Sequence, residues 1–263
     1  MRSKSRAWLA KPNFISKSFL TKKSMYKEEN SRTEMLLGAE GVKKIERARV
    51  AVFGVGGVGG YACEALARAG VGAIDLFDSD VVSRSNINRQ IVALQSTVGR
   101  PKVEVMRERI ADINPDCRVT AYQTFYLPEN ADDYPLDGYD YIIDAIDTVG
   151  AKVELAVRAQ AAGVRLISAM GAGNKLDPTR FAVKDLFKTE GCPLARVMRH
   201  ELRKRGVKHL KVVFSDEPAK TPVTAGSTPE ADGRKRTPGS VSFVPSVAGL
   251  ILAGEVVREL CGL

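Results

Sequence analysis

The chain has 263 residues, 44% of them apolar, and carries 40 Lys/Arg against 31 Asp/Glu for a net charge of +9. That length suits one large α/β domain or two small ones, and no run approaches the ~20 apolar residues of a membrane-spanning helix. Seven of the cations (Arg2, Lys4, Arg6, Lys11, Lys17, Lys22 and Lys23) fall in residues 1–24, which hold no acid, so the rest carries only +2 and overall basicity is no argument for nucleic-acid binding.

Residues 1–24 are basic, serine-containing and aperiodic. A disordered tail is the expectation; a start upstream of an initiator at Met25 and an organelle transit peptide fit the same composition. The fold is expected as one domain over residues 25–263. Helices are expected between Glu28 and Ile45. Ser31-Arg-Thr-Glu34 has capping-box spacing, Met35, Leu36 and Leu37 would pack, and Gly38 and Gly41 punctuate. On this pattern alone Arg32 is a solvated arginine at a helix start.

Val50 to Phe53 is a short apolar run of the kind that makes a buried parallel strand. Gly54, Gly56 and Gly59 follow at G-x-G-x-x-G spacing, and Tyr61 to Ala69 reads as a helix closed by Gly70. Between a strand and a helix, such glycines let backbone N–H groups approach phosphates at a helix N-terminus, so nucleotide binding is expected. Ala73 to Asp78 is the second strand. Asp78 stands 24 residues after Gly54, where a Rossmann-type unit places an acid on a ribose hydroxyl. NAD and ATP both present a ribose, so Asp78 does not separate them.

Ser83 to Gln95 is polar, then apolar. Gly99-Arg-Pro-Lys102 opens a helix whose apolar face continues through Val103, Met106, Ile110 and Ile113, and Asn114-Pro115 ends it. Arg118 to Tyr122 alternates like a strand, and Leu127 to Gly138 is loop-rich. Tyr139 to Asp147 reads as a strand ending on Asp144 and Asp147, Lys152 to Ala162 as a helix closed by Gly163, and Val164 to Ala169 as a strand. This rhythm predicts an α/β fold, a doubly wound, Rossmann-like and mainly parallel sheet. Residues 28–173 would form its nucleotide-binding part and 174–263 a C-terminal α+β extension that binds substrate.

In that extension Pro193 to Arg205 is an amphipathic basic helix. Leu194, Val197, Met198 and Leu202 form its apolar stripe; Arg196, Arg199, Arg203, Lys204 and Arg205 lie largely opposite. Leu210 to Phe214 is a strand. Glu217 to Ser240, rich in Pro, Thr, Gly and charge, is expected as a mobile loop carrying Arg234, Lys235 and Arg236. Val241 to Leu263 reads as strand, then helix, with Val244 to Val257 buried. The four cysteines (Cys63, Cys117, Cys192 and Cys261) form no C-x-x-C pair, which fits a reducing compartment and argues against a four-cysteine zinc site. His200 and His209 sit in basic, surface-like sequence.

The chemistry is concentrated in Asp78, Asp80, Asn86, Arg89, Gln90, Lys102, Asp144 and Asp147. These supply an acid for a ribose, two cations for phosphates, an amide that orients groups and an acid that can hold Mg²⁺. Hydride transfer needs no Arg-plus-Lys clamp. Nucleotidyl transfer does, because charge develops on the α-phosphate and on departing pyrophosphate.

In these residues the chain resembles the ubiquitin-activating-type (ThiF/MoeB-type) adenylating superfamily. The resemblance covers about residues 28–173 and is most specific in the D-x-D-x-V-x-x-S-N-x-x-R-Q stretch from Asp78 to Gln90. It implies ATP and Mg²⁺ as cofactors, with Gly54, Gly56 and Gly59 on the phosphates and Asp78 on the ribose. Asn86, Arg89 and Lys102 would contact the triphosphate, and Asp147 would hold Mg²⁺. Arg32, six residues before Gly38, matches an arginine that the superfamily supplies across a homodimer to the partner's ATP.

The paired C-x-x-C zinc ligands of the sulfur-carrier activators are missing. With Cys192-Pro-Leu-Ala-Arg-Val-Met-Arg199 and the basic helix, the chain looks like the tRNA threonylcarbamoyladenosine dehydratase branch. That resemblance implies a cytoplasmic enzyme that adenylates the carboxylate of threonylcarbamoyladenosine in tRNA and lets it cyclise with loss of water. The tRNA would lie on Arg196, Arg199, Arg203, Lys204, Arg234, Lys235 and Arg236, for which a solvated charged face is the plainer reading. A sulfur-transfer or redox protein is a further possible partner. Cys192 is read as an unreactive thiol; a thioester with a protein substrate is its alternative role. Adenylation of the C-terminus of a ubiquitin-like or sulfur-carrier protein, and a NAD-binding oxidoreductase, are the competing functions. The Arg89–Lys102 clamp and the lack of a hydride-site His or Tyr constellation argue against the latter.

Overall fold

A computed structural model describes residues 28–223 and 238–263, so the basic stretch 1–24 and the run Arg234-Lys235-Arg236 lie outside the described residues. The apolar runs become strands β1 (Arg49–Phe53), β2 (Ala73–Phe77), β4 (Tyr141–Asp144) and β5 (Leu166–Ala169). Their side chains do not alternate in polarity because helices cover both faces of the sheet. In β1, Val50 and Val52 pack into one core and Ala51 and Phe53 into the other.

With β3 (Arg118–Tyr122), β6 (Phe181–Asp185) and β7 (Lys211–Ser215), one seven-stranded sheet forms in the order β3-β2-β1-β4-β5-β7-β6. All pairings are parallel except β6–β7. On one face lie α1 (Ser31–Arg47), α2 (Gly59–Ala69), α3 (Lys102–Ile113) and α6 (Pro245–Cys261); on the other lie α4 (Val149–Ala162) and α5 (Pro193–Lys204). The chain leaves β1 in both directions, to β2 and β3 on one side and to β4 on the other. That reversal opens a crevice at the carboxyl ends of β1 and β4, the place where open α/β sheets bind ligands.

Several expectations are corrected. The strand expected at the start of residues 241–263 is absent: residues 241–244 lead into α6 without one, whereas the C-terminal extension adds β7 and the antiparallel edge strand β6 to the same sheet. β4 stops at Asp144, so Asp147 lies in the turn beyond it. Ser31 is not a helix cap: the chain already turns at Glu28, the Ser31 hydroxyl donates to the Glu28 carbonyl at 2.8 Å, and Asn30 holds the cap position. Gly38 breaks α1 with φ +69°. Ahead of that break Met35 and Leu36 are 82% and 86% exposed rather than packed, because nothing among the described residues covers that turn. In α5 the buried stripe is Ala195, Met198 and Leu202, and Val197 faces outward. Glu217, expected at the start of a mobile loop, is buried and accepts the amides of Leu176 and Asp177 at 3.0 Å each.

Candidate active site

The glycine loop leaves β1 under tight steric limits. Gly54 has φ +91°, and a Cβ there would stand 2.7 Å from the Ala145 carbonyl oxygen; a Cβ on Gly59 would stand 1.8 Å from the Gly54 carbonyl oxygen. Only glycine fits either place. The loop amides and the start of α2 thereby face a cleft of about 390 Å³ at the sheet's switch point.

Gly54, Gly56, Asp78, Asn86, Arg89, Lys102 and Asp147 all line that cleft, and Gly59 opens α2 beside it. Asp78 directly follows β2 with each carboxylate oxygen engaged: Oδ2 accepts the Val55 amide at 2.7 Å and Oδ1 the Asp80 amide at 2.8 Å. Burial pushes its pKa above the usual aspartate value, opposed by the Lys102 charge and by those amides. Lys102 is the first residue of α3, after Pro101 in the cap position; its stem is buried and its Nζ lies 2.6 Å from Asp80 Oδ2. Asn86 Oδ1 accepts the Ser83 amide at 3.0 Å and closes the short turn Arg84–Asn86. Arg89 Nη1 donates to the Ser85 carbonyl at 3.0 Å and to Asn88 Oδ1 at 2.8 Å, and forms no ion pair among the described residues. Asp147 is exposed to the cleft. Its carboxylate accepts the Thr148 hydroxyl at 3.3 Å and meets no cation among the described residues.

Two features of the cleft become visible only in the folded chain. Gln90, already part of the motif, is buried in its lining, and its Oε1 lacks any hydrogen-bond partner among the described residues. The far wall is formed by Ala172, Gly173, Pro238 and Ser240. Asn174, at φ +57°, holds that wall by a reciprocal pair with Gly239, at 2.8 and 2.6 Å, and Asn88 donates to the Ser240 carbonyl at 2.9 Å. These bonds span 65 and 152 residues, and no local pattern announces them.

Arg32 is not at the cleft. Its neighbours Asn30 and Glu34 line a separate groove with Gly72 and Arg118, residues preceding β2 and opening β3, at the opposite end of the sheet. Cys192 is buried at the start of α5 beside Gly171. The cationic face of α5 is smaller than its sequence suggests. Arg199 turns inward to the carbonyl of buried Thr189 at 2.9 Å, Lys204 pairs with Glu201 at 3.2 Å, and Arg203 lies over the Phe187 ring. Arg196, Arg203 and Lys204 are all exposed, and Arg196 forms no ion pair among the described residues.

Backbone amides, two cations and an unpaired carboxylate around one cleft suit a polyphosphate with a divalent cation. The ThiF family's sequence model matches residues 30–263. The chain is 48% identical over 240 residues to the tRNA threonylcarbamoyladenosine dehydratase of Bacillus subtilis, covering 88% of this chain and 93% of that one. Two crystal structures of the E. coli tRNA N6-threonylcarbamoyladenosine dehydratase TcdA are similar throughout, each covering 90% of this chain and 95% of that one. The complex with AMP gives a TM-score of 0.82 at 37% identity, and the complex with ATP gives 0.81 at 36%.

Proposed function

The chain belongs to the ThiF family, and from that premise we propose that it is an ATP-dependent tRNA threonylcarbamoyladenosine dehydratase. The observation that carries this reading is the meeting of seven sequence-identified residues around one switch-point cleft, in a chain matched over nearly its whole length by dehydratases of that name.

A carboxylate is a poor electrophile because oxide is its leaving group. In the proposed reaction a carboxylate oxygen of the modified nucleoside attacks the α-phosphorus of ATP, and the bond to pyrophosphate breaks. An atom of the same modified side chain then attacks the acyl carbon, the C–O bond to AMP breaks and one proton is lost. ATP leaves as AMP and pyrophosphate, and the substrate has lost the elements of water. The ring closure is intramolecular and benefits from high effective concentration, so it needs no enzyme thiol; Cys192, buried, serves packing.

The chain's own groups divide the work. The amides of the Gly54–Gly59 loop and the N-terminus of α2 take phosphate oxygens. Asp78 accepts a ribose hydroxyl. Arg89 and Lys102 oppose the charge that builds on the α-phosphate and pyrophosphate, and Asn86 orients the chain of phosphates. Asp147, a free carboxylate at the cleft, fits Mg²⁺, which binds through one or two carboxylates and substrate phosphates; the metal would neutralise phosphate charge there.

Arg32 fits the site only as a group lent by a second subunit, so a homodimer with composite sites is part of the reading. The tRNA would lie along α5, whose first turn packs beside Gly171 at the edge of the Ala172–Gly173 wall. Four free thiols accord with a reducing, cytoplasmic setting.

The test is ATP–pyrophosphate exchange and AMP release with tRNA bearing threonylcarbamoyladenosine, against unmodified tRNA and a sulfur-carrier protein. Turnover only with the modified tRNA is expected. Turnover with the carrier protein alone would overturn the assignment.

A further inference from the structure

Beneath the cleft, a fully buried ion pair is used by none of the steps above. Asp144 and Lys152 both have 0% side-chain exposure, and Lys152 Nζ lies 2.9 Å from Asp144 Oδ2. Removing two charges from water is costly, and an apolar pair of similar volume is often as stable or more so. A stability role is therefore a weak explanation, and the pair's other hydrogen bonds point elsewhere.

Both groups reach the same residue. Asp144 Oδ1 accepts the Ile146 amide at 3.1 Å, and Lys152 Nζ donates to the Ile146 carbonyl at 3.1 Å. The Ser168 hydroxyl, on the adjacent strand, donates to Asp144 Oδ2 at 2.6 Å and fixes the carboxylate from the side. The next residue is Asp147. Its own side chain is held only by the Thr148 hydroxyl at 3.3 Å among the described residues, so its position is inherited from the backbone of Ile146. One step back, the Ala145 amide is tied to the Phe53 carbonyl at 2.8 Å, and the Ala145 carbonyl abuts Gly54. The turn 145–147 is thus clamped between the glycine loop on one side and the buried pair on the other.

We propose that Asp144 and Lys152 are positioning residues that fix the turn carrying Asp147, and so set how tightly the cleft holds the divalent cation of the nucleotide complex. The pair acts through the Ile146 backbone and touches neither nucleotide nor metal. The inference rests on the assignment of Asp147 to the metal.

The test uses the full-length protein, a non-hydrolysable ATP analogue and Mn²⁺ followed by electron paramagnetic resonance. Asp144→Val/Lys152→Met removes both charges and releases the Ile146 amide and carbonyl. Mn²⁺ half-saturation of the nucleotide complex is expected to rise about tenfold or more, as when a residue supporting a metal ligand is lost. AMP affinity measured without metal should stay at the parent value, because the glycine loop and Asp78 are untouched. Ser168→Ala keeps both charges and guards against failure of the double variant to fold; a rise of about threefold is expected for the loss of one hydrogen bond.

Parent half-saturation in either variant, once folded, overturns the positioning role, as does an equal loss of metal-free AMP affinity. Asp147→Asn separates the two assignments. If it leaves the Mn²⁺ requirement unchanged, the metal role of Asp147 fails and takes the proposal with it. If it raises the requirement while the pair variants do not, the positioning role alone fails.

Discussion

Lys102 and Asp80 form an ion pair of 2.6 Å that crosses the boundary of the protein, the lysine side chain 5% exposed and the carboxylate 62% exposed. The stem of Lys102 is held in the core at the first position of α3, while its charge reaches the cleft beside Asp78. A polyphosphate entering the cleft meets an ammonium already placed and only partly neutralised.

Lys102→Met keeps the buried stem and removes the charge. The Asp80 carboxylate left behind is solvated, so the loss of this half-exposed pair should cost no more than about 1 kcal/mol of stability. The turnover number for adenylation should fall by about 10²–10³, the range for losing one preorganised group that faces developing charge. Pyrophosphate exchange with a parallel thermal melt checks both halves. A folded variant with parent turnover would remove Lys102 from the phosphate site.

Arg32 gives the second prediction. It stands with Asn30 and Glu34 at the end of the sheet away from the cleft, so in the proposed reading it serves the site of a second subunit. Met35 and Leu36, exposed on the next turn, make an apolar surface suited to a partner. Arg32→Ala and Lys102→Ala subunits should each be nearly inactive alone. In the proposed homodimer, subunit exchange would make half the dimers mixed, each with one intact site, so about a quarter of parent activity should return. Exchange verified by mass spectrometry with no recovery would place Arg32 outside the reaction.

Asp78 supplies a pH signature. Burial raises its pKa, so its proton returns at a higher pH than for an ordinary aspartate near 4. The ionised carboxylate is the stronger acceptor for a ribose hydroxyl, and protonation would also compete with the two backbone amides it accepts. AMP affinity should therefore be full at neutral pH and begin to fall as pH drops, above the point where a solvated aspartate would protonate. By linkage, any stability tied to this raised pKa runs the other way: it is present below the unfolded value and lost as pH rises through the folded one. Low pH should thus cost binding without unfolding the domain through this group. Calorimetric titration of AMP against pH, with circular dichroism at each point, decides it; Asp78→Asn should bind weakly and with a flat profile.

The site was more legible in the sequence than the scaffold behind it. Gly54, Gly56, Asp78, Asn86, Arg89 and Lys102 lie within two βα units, so strand and helix periodicity already places them at one end of adjacent strands. Asp147 was found despite an overlong strand, because the turn after a strand keeps its residues near the same edge. What escaped depends on chain crossings. The Asn174–Gly239 pair, the Asp144–Lys152–Ser168 cluster and the edge strand β6 are set by sheet order, which periodicity does not contain. Arg199 shows the limit for charges: a helical wheel assigns it to the solvated face, but a long arginine reaches around to the Thr189 carbonyl.

That reach changes where the tRNA-binding cations should be sought. Truncating Arg199 leaves the buried Thr189 carbonyl without its donor, so Arg199→Ala should destabilise the fold by about 1–3 kcal/mol, and any loss of tRNA binding would follow from that. Arg196 and Arg203 are the cleaner probes, since neither holds a buried polar group among the described residues. Removing a cation that neutralises one phosphate should reduce the slope of log affinity against log salt by about 0.7–0.9. Arg196→Ala/Arg203→Ala should therefore weaken tRNA binding and flatten that slope, leaving AMP affinity and melting temperature close to parent. Arg203 stacks on Phe187, so a small part of its effect is packing; Arg203→Met retains the stem and should still flatten the slope. A double variant with the parent's affinity and salt slope would show that α5 is not the RNA platform, and that its cations are a solvated face.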